Sequence, residues 1–218
     1  MLNNMTYLET INKVLRRLRE DEVASPDTSA YSKLIGEFVN DANRLVEDAW
    51  DWSELRTLAP LTVNENSVVW SVTGLTNMDK ILEVYNVTDK SLVSLGTQDG
   101  LYESQYLGEN PKSVPSNYVL TGFTDTSASV QFYPPADKTY QLIFRFVGRT
   151  PELVNSSDVV KVPTAAVIQF AQAMAAEERG ETGGTSASKL YTIAQSSLSD
   201  AIAMDAARFP TETIWYSV

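Results

Sequence analysis

The sequence predicts an α+β fold, in which a four-helix body formed by the N- and C-terminal segments carries an inserted antiparallel β-sandwich or barrel-like region. Apolar residues recur at helical spacing over residues 6–50 and 164–202, whereas period-two patterns dominate residues 57–149. Between Asn117 and Glu178, three strand-like segments lead into a long Ala-rich helix. We therefore expect a discontinuous helical body at 1–56 and 160–207, an inserted β-domain at 57–159 and a C-terminal docking tail at 208–218.

Two N-terminal helices are predicted. Thr6 and Glu9 have the spacing of a capping box, which marks the start of the first helix. A Ser25-Pro26-Asp27 sequence breaks that helix, and a second is expected from about Ser29 to Trp50. Its apolar positions at helical spacing are Tyr31, Leu34, Ile35, Phe38, Ala42, Leu45, Val46 and Ala49. The two helices are expected to form a hairpin with a facing apolar seam.

Trp50 and Trp52 flank Asp51 where the second helix is expected to end. Residues at i and i+2 do not share a helix face, so the two indoles are expected to point to different surroundings. Buried tryptophan contributes mainly through the area that it removes from water. Both are therefore predicted to be core aromatics, with a contact between subunits as the alternative.

Seven short strands are predicted in the middle of the chain, separated by Gly- and Pro-containing turns. Their ranges are 57–63, 68–72, 80–87, 91–95, 117–122, 128–133 and 139–147. Between the fourth and fifth strands, Gln98–Leu107 is expected to form a short helical or irregular excursion. This number and spacing of strands is typical of a small antiparallel sandwich or barrel.

Two further helices follow the strands. Pro163 is suited to the first turn of a helix over about Thr164–Arg179, and that helix is apolar nearly all round, so it should be buried on several sides. A Gly-rich break at 180–184 precedes a fourth helix. Its predicted apolar face is Leu190, Ile193, Ala194, Ser197, Leu198, Ala201 and Ile202.

The last ten residues are unusually aromatic for a chain terminus. Pro210 ends any helix, and the apolar side chains around it are Phe209, Ile214, Trp215 and Tyr216. Exposed apolar groups of this size usually mark an interaction site. Two interpretations of the sequence remain open: the tail docks on another chain, or it folds back on its own domain.

The amino-acid composition excludes several classes of function. The 218 residues include no cysteine and no histidine, which excludes thiolate chemistry and the commonest general base and metal ligand. The net charge of −11 comes with no cluster of basic residues, which disfavours direct DNA binding. No apolar run approaches the roughly 20 residues that span a bilayer. We expect a protein that is not an enzyme, with no catalytic residue, cofactor or metal and no membrane partner.

Several motifs in this order resemble tailed-bacteriophage head-to-tail connector or adaptor proteins, and tail tubular protein A of short-tailed phages most of all. The motifs are Trp50-Asp-Trp52, Tyr133-Pro-Pro-Ala-Asp137, Tyr140-Gln-Leu142, Arg149-Thr-Pro-Glu-Leu153 and the Val162-Pro163 start of an Ala-rich helix. The likeness covers nearly the whole chain.

The resemblance implies a structural virion protein, assembled in the host cytoplasm, that resides in the neck or tail. It would form a homo-oligomeric ring, a dodecamer, that joins the portal protein of the head to a distal nozzle or tail-tube protein. DNA would pass through the lumen without specific binding. The resemblance assigns portal docking to Arg208, Phe209, Ile214, Trp215 and Tyr216.

Two alternatives remain at this point. The first is another neck protein, such as a stopper or tail-completion protein. The second is a glycan-binding or wall-degrading virion protein, for which the tyrosines of the β-region would supply a sugar platform. Those tyrosines are Tyr102, Tyr106, Tyr118 and Tyr133.

Overall fold

The computed structural model describes residues 5–65, 67–108, 111–180 and 186–209. Contacts between Cα atoms divide the chain into two compact units, Met1–Leu55 with Thr150–Val218, and Arg56–Arg149. We call these the helical unit and the β-unit. The predicted α+β class is confirmed. The division falls between Arg149 and Thr150, whereas the sequence placed the boundary at residue 160.

The elements follow one another in the predicted order. They are α1 (Tyr7–Arg17), α2 (Ala30–Ala49), β1 (Arg56–Val63), β2 (Val69–Thr73), β3 (Lys80–Asn86), β4 (Ser91–Leu95), α3 (Gln98–Tyr102), β5 (Asn117–Phe123), β6 (Ser127–Tyr133), β7 (Tyr140–Val147), α4 (Thr164–Glu178) and α5 (Ser186–Arg208). A short 3₁₀ turn at Ser53–Leu55 precedes β1, and a π-helical turn at Glu103–Leu107 continues α3. Each strand begins and ends within one residue of its predicted bounds.

Side-chain caps fix the starts of the first two helices. The Thr6 hydroxyl accepts a hydrogen bond from the Glu9 amide at 3.3 Å, and the Glu9 carboxylate accepts one from the Thr6 amide at 2.9 Å. Ser29 caps α2 by accepting from the Ser32 amide at 3.0 Å. Each cap satisfies amides that the helix itself leaves without partners. The predicted capping box at Thr6 is confirmed.

Helix α4 is the central element of the helical unit. It packs against α1, α2 and α5, so it has no wide solvent-facing side. Its buried apolar residues are Ala166, Val167, Ile168, Phe170, Ala171, Ala173, Ala175 and Ala176. The prediction that this helix is buried on several sides is confirmed, and the many alanines allow neighbouring helices to approach it closely.

The buried face of α2 differs from the predicted one. Leu45 and Ala49 are exposed, while Asn43 and Glu47 are buried. The reason is the 150–158 segment, which packs on this helix: the Glu47 carboxylate accepts from the Asn43 amide at 3.0 Å and from the Thr150 hydroxyl. Burying these polar groups is tolerated because they bind one another.

Hydrogen bonds also hold this segment and Val160 against α2 and against the residues at the start of α1. The Asn40 side-chain amide donates to the Leu153 carbonyl and accepts from the Leu153 amide, both at 3.0 Å. The Tyr7 amide donates to the Asp158 carbonyl at 2.7 Å, and the Val160 amide to the Met5 carbonyl at 3.0 Å. These bonds explain why residues 150–162 belong to the helical unit.

Arg179, directly after α4, holds the α1–α2 connection in place. Its guanidinium donates to the Tyr31 hydroxyl at 2.6 Å, to the Glu20 carboxylate at 2.6 Å and to the Leu18 carbonyl at 3.3 Å. It also lies 4.7 Å from the centre of the Tyr31 ring, a cation–π distance. Burial raises the pKa of Tyr31 despite the hydrogen bond from Arg179, which lowers it.

Gly36 on α2 is required by the close approach of α1. A Cβ added there would overlap the hydroxyl of Tyr7, a buried side chain. We expect Gly36→Ala to lower the free energy of unfolding by about 1–3 kcal/mol, the usual cost of overpacking. Urea titration followed by circular dichroism measures this change.

A second substitution tests whether overlap with the Tyr7 hydroxyl causes this loss of stability. With Tyr7→Phe the overlapping hydroxyl is gone, and Ala favours a helix over Gly by about 1 kcal/mol. In that background Gly36→Ala should be neutral or stabilising. An equal loss in both backgrounds would show that the hydroxyl is not the obstacle.

The β-unit is a seven-stranded sheet in the order β1-β7-β3-β4-β5-β6-β2. Its two end strands, β1 and β2, are consecutive in sequence and lie beside each other, so the sheet is nearly closed into a barrel. All pairs are antiparallel except β4 with β5, which pair in parallel through Ser94–Asn117 and Leu95–Tyr118. The excursion between these strands supplies the long crossover that parallel pairing needs.

The barrel interior is filled by alternate side chains of all seven strands. Tyr140, Phe144, Val63, Val72 and Val130 are essentially inaccessible to solvent. Aromatic edges meet in this core: Trp70 and Phe132 have ring centres 5.3 Å apart, and Tyr118 and Phe144 are 5.6 Å apart. The period-two alternation seen in the sequence is thus the inward and outward alternation of the barrel wall.

Candidate interaction surface

The described residues bring together no catalytic or metal-binding constellation. In the part of the chain that the structure describes, there is no cluster of three or more acidic residues that could hold a metal ion. None of the helices in that part combines the length and apolarity needed to cross a membrane. Both units do carry exposed apolar side chains among the described residues, and two of these surfaces are described below.

In the helical unit, the exposed surface is carried by α5. This helix packs chiefly on α4, and among its described residues only Ala194 and Asp205 are buried. Ile193, which was predicted to lie on the apolar face, is half exposed. The difference follows from the packing: α5 packs chiefly on α4, so its other sides remain in solvent.

Asp205 attaches the end of α5 to the turn that follows α2. Its carboxylate accepts a hydrogen bond from the Ser53 hydroxyl at 2.6 Å, from the Ser53 amide at 3.2 Å and from the Trp50 indole N–H at 3.1 Å. Hydrogen bonds to an ionised carboxylate are stronger than those between neutral groups. A buried carboxylate with three donors is therefore a specific anchor for this helix.

The two tryptophans have different surroundings. Trp52 is 2% exposed, and its indole N–H donates to the Val46 carbonyl at 2.7 Å. Trp50 is partly buried and bonds to Asp205. Trp52 is thus a core residue of the helical unit, while a role for either indole in a contact between subunits stays a prediction.

A groove of ≈ 260 Å³ runs beside the C-terminal half of α5. We call it the α5 groove. Its α5 side is formed by Ser197, Asp200, Ala201, Met204, Asp205 and Arg208, and it is completed by Trp52, Pro163, Ala165 and Phe209. Most of this lining is apolar, and Met204 is 53% exposed. The groove is large enough for one or two apolar side chains of a binding segment.

The predicted docking tail starts at this groove. Arg208 is the last residue of α5 and is exposed, and Phe209, which is 51% exposed, lines the groove. Ile214, Trp215 and Tyr216 lie outside the described residues. The docking role of all five residues stays a prediction.

The β-unit has its own exposed apolar surface at the crossover between β4 and β5. Tyr106 is 77% and Leu107 is 85% exposed on the π-helical turn, and Leu95 and Tyr102 are also exposed nearby in sequence. The rings of Tyr102 and Tyr106 lie 6.2 Å apart. The sequence identified this excursion but gave no indication of its exposure, because its residues follow no clear period.

The four tyrosines considered for glycan binding do not share a surface environment. Tyr102 and Tyr106 are exposed, whereas Tyr118 is buried against Phe144 and Tyr133 is partly buried. A Cβ added at Gly96 would overlap the Tyr133 ring and hydroxyl, so a larger residue there would require that ring to move. A sugar platform would need accessible rings, so the two buried tyrosines are better explained by packing.

The family model described as SU10 adaptor protein matches residues 5–213. A search of curated proteins found no match.

Proposed function

Because the chain belongs to the SU10 adaptor protein family, we propose that it forms a ring that joins the portal of a phage head to the tail and lines the DNA exit channel. Membership makes the chain a structural adaptor of a bacteriophage virion that binds other head or tail proteins, and this family is not one of enzymes. The ring, its dodecameric state and the likeness to tail tubular protein A belong to the proposal.

The observation that carries the proposal is the poorly covered α5 with its apolar groove. A single chain leaves Ile193 and Met204 on α5, and Phe209 directly after it, at least half exposed. Apolar surface removed from water contributes roughly 25 cal/mol per Å², so a partner that covers this helix would bind favourably. An adaptor needs such surfaces, since its function is to hold other proteins together.

A second exposed surface, on the β-unit, supports a protein with more than one neighbour. The crossover side chains Tyr106 and Leu107 lie in a different unit from α5. A ring built from a head-to-tail repeat needs two different contact surfaces on each copy. In addition, an adaptor needs contacts to the portal on one side and to the distal nozzle or tail-tube protein on the other.

The charge of the chain suits a channel through which DNA moves. Each copy carries a net charge of −11, and a ring would repeat this charge around its lumen. A negative wall repels phosphate, so DNA would pass without being held. We place assembly in the host cytoplasm and the finished protein in the neck of the virion.

The mass of the purified chain, with and without the portal protein of the same phage, tests the proposal. We expect a portal complex that contains a closed ring of the chain, visible by native mass spectrometry and electron microscopy. A chain that binds only the distal tail protein would instead be a stopper or tail-completion protein. A chain that binds neither would contradict the adaptor role.

Removal of the tail tests the predicted docking residues. A chain that ends at Phe209 lacks Ile214, Trp215 and Tyr216 but keeps every described element. We expect it to lose portal binding, with a Kd raised at least about tenfold, while its circular dichroism spectrum is unchanged. The matched control replaces Thr211 and Thr213 with serine, which keeps the aromatic residues and should preserve binding.

A further inference from the structure

We propose that residues 159–161 form an open strand edge that binds an extended segment of another head or tail protein through main-chain hydrogen bonds. We call this the 159–161 edge. It lies in the helical unit, and its residues do not line the α5 groove. The source of the segment rests on the proposed adaptor function, whereas the edge itself follows from the backbone geometry of the chain.

One side of this short strand is paired with the start of the chain. The Val160 amide donates to the Met5 carbonyl at 3.0 Å. The Asp158 carbonyl accepts a hydrogen bond from the Tyr7 amide at 2.7 Å. Val159 lies between these two bonds, opposite the residue between Met5 and Tyr7. In antiparallel pairing such a residue is not hydrogen-bonded to its opposite, so the N–H and C=O of Val159 point to the other side of the strand.

That other side has no main-chain partner in the part of the chain that the structure describes. Backbone groups alternate in direction along an extended strand, so Lys161 is expected to point the same way as Val159. Exposure alternates accordingly: Val159 and Lys161 are exposed, whereas Val160 and Val162 are buried. Within the described ranges, neither Val159 nor Lys161 makes a backbone hydrogen bond. Their N–H and C=O groups are therefore available to another chain.

A cavity of ≈ 360 Å³ lies against this edge. Asp158, Val159 and Lys161 line it together with residues 150–155. The apolar part of the lining is accessible, since Val154 is 67% and Val159 is 41% exposed. In strand addition, main-chain hydrogen bonds supply the affinity and spaces for alternate side chains supply the specificity. The edge offers the first of these and the cavity offers the second.

The charges that line the cavity define the kind of segment that it fits. Glu152 and Lys161 are exposed, and neither has an ion pair among the described residues. Asp158 is already engaged, because its carboxylate accepts from the Val154 and Asn155 amides at 2.8 and 2.7 Å. Complementary charges fix the register of a bound segment more than they raise its affinity. The matching segment is extended and apolar, with a basic residue for Glu152 and an acidic one for Lys161.

Amide hydrogen exchange in the unaltered chain tests the edge directly. The chain is mixed with the purified portal protein and, separately, with the purified distal tail protein of the same phage, and exchange is read residue by residue. In the free chain the Val159 and Lys161 amides should exchange fast, because no acceptor protects them. In one of the two complexes we expect both amides to slow at least about tenfold, while Val160, already bonded to Met5, changes little.

Val159→Pro removes one donor of the edge. It leaves the hydrogen bonds of Val160 and Asp158 in place, and proline is tolerated in edge strands. We expect the Kd for the bound protein to rise about tenfold, with an unchanged circular dichroism spectrum. Val159→Thr is the matched control: it keeps the branched shape and the amide, so its Kd should change less than about threefold. Should the proline variant fail to fold, exchange in the unaltered chain decides.

Each contrary result has a different meaning. A complex in which the Val159 and Lys161 amides still exchange fast would overturn the inference and leave the adaptor function intact. Equal Kd values for the proline and threonine variants would also overturn it, because the main-chain donor would then be unimportant. Slowing that appears in the chain alone as its concentration rises would assign the edge to a second copy and overturn it too. A chain that binds neither protein would contradict both the inference and the adaptor function.

Discussion

Trp52→Ala is expected to lower the free energy of unfolding of the helical unit by about 3–5 kcal/mol, the usual range for a fully buried tryptophan. Its side chain is 2% exposed, and its indole N–H is bound to the Val46 carbonyl at 2.7 Å. The alanine variant would leave a cavity and a carbonyl without its donor. Chemical unfolding followed by circular dichroism at the helical minimum measures the loss.

Trp52→Phe separates the effect of the cavity from the effect of the lost hydrogen bond. It keeps most of the buried ring and removes the indole N–H, so the expected loss is about 1–2 kcal/mol. Trp50→Phe is the matched control for the second indole, which is only partly buried. A Trp52→Ala variant as stable as the parent protein would contradict the assignment of this residue to the core.

Asp205→Ala is expected to cost about 2–3 kcal/mol and to free the C-terminal half of α5. Three donors, from Trp50 and from the amide and hydroxyl of Ser53, would lose their common acceptor. Amide hydrogen exchange of residues 200–209 should speed up, because few other buried contacts hold this end of the helix.

Asp200→Ala is the control for Asp205→Ala. Asp200 lies on the same helix and also lines the α5 groove, but it is exposed. Its replacement removes the same charge and should change the unfolding free energy by less than about 0.5 kcal/mol. Equal effects of the two variants would show that net charge, and not the anchor at Ser53 and Trp50, governs the stability of α5.

The strands and helix starts could be predicted from the sequence because local patterns determine them. Alternation marked each strand, and the Thr6 and Glu9 pair marked the first helix. The buried face of α2 could not be predicted in this way. Asn43 and Glu47 are polar, and they are buried because Thr150, distant in sequence, supplies a hydrogen-bond partner. Periodicity contains no information about such a partner.

The candidate surface was predicted only in part. Phe209 and the tail stood out as aromatic residues near a terminus, but Asp205 was missed because a carboxylate on a helix is normally solvated. A signal did exist: Ala194, Leu198, Ala201 and Asp205 recur at helical spacing, so Asp205 continues an otherwise apolar row of the helix. A charged residue in an otherwise apolar strip suggests a buried acceptor with specific donors.

The near-closure of the barrel has a consequence for solubility at high local concentration. A sheet with open edge strands can pair with another copy through its backbone and grow into fibres. Here β1 and β2 stand at the two ends of the sheet but lie beside each other, so each shields the other from incoming strands. Copies crowded together in a virion would then associate through side chains. Growth by strand addition, which has no natural end point, would be suppressed.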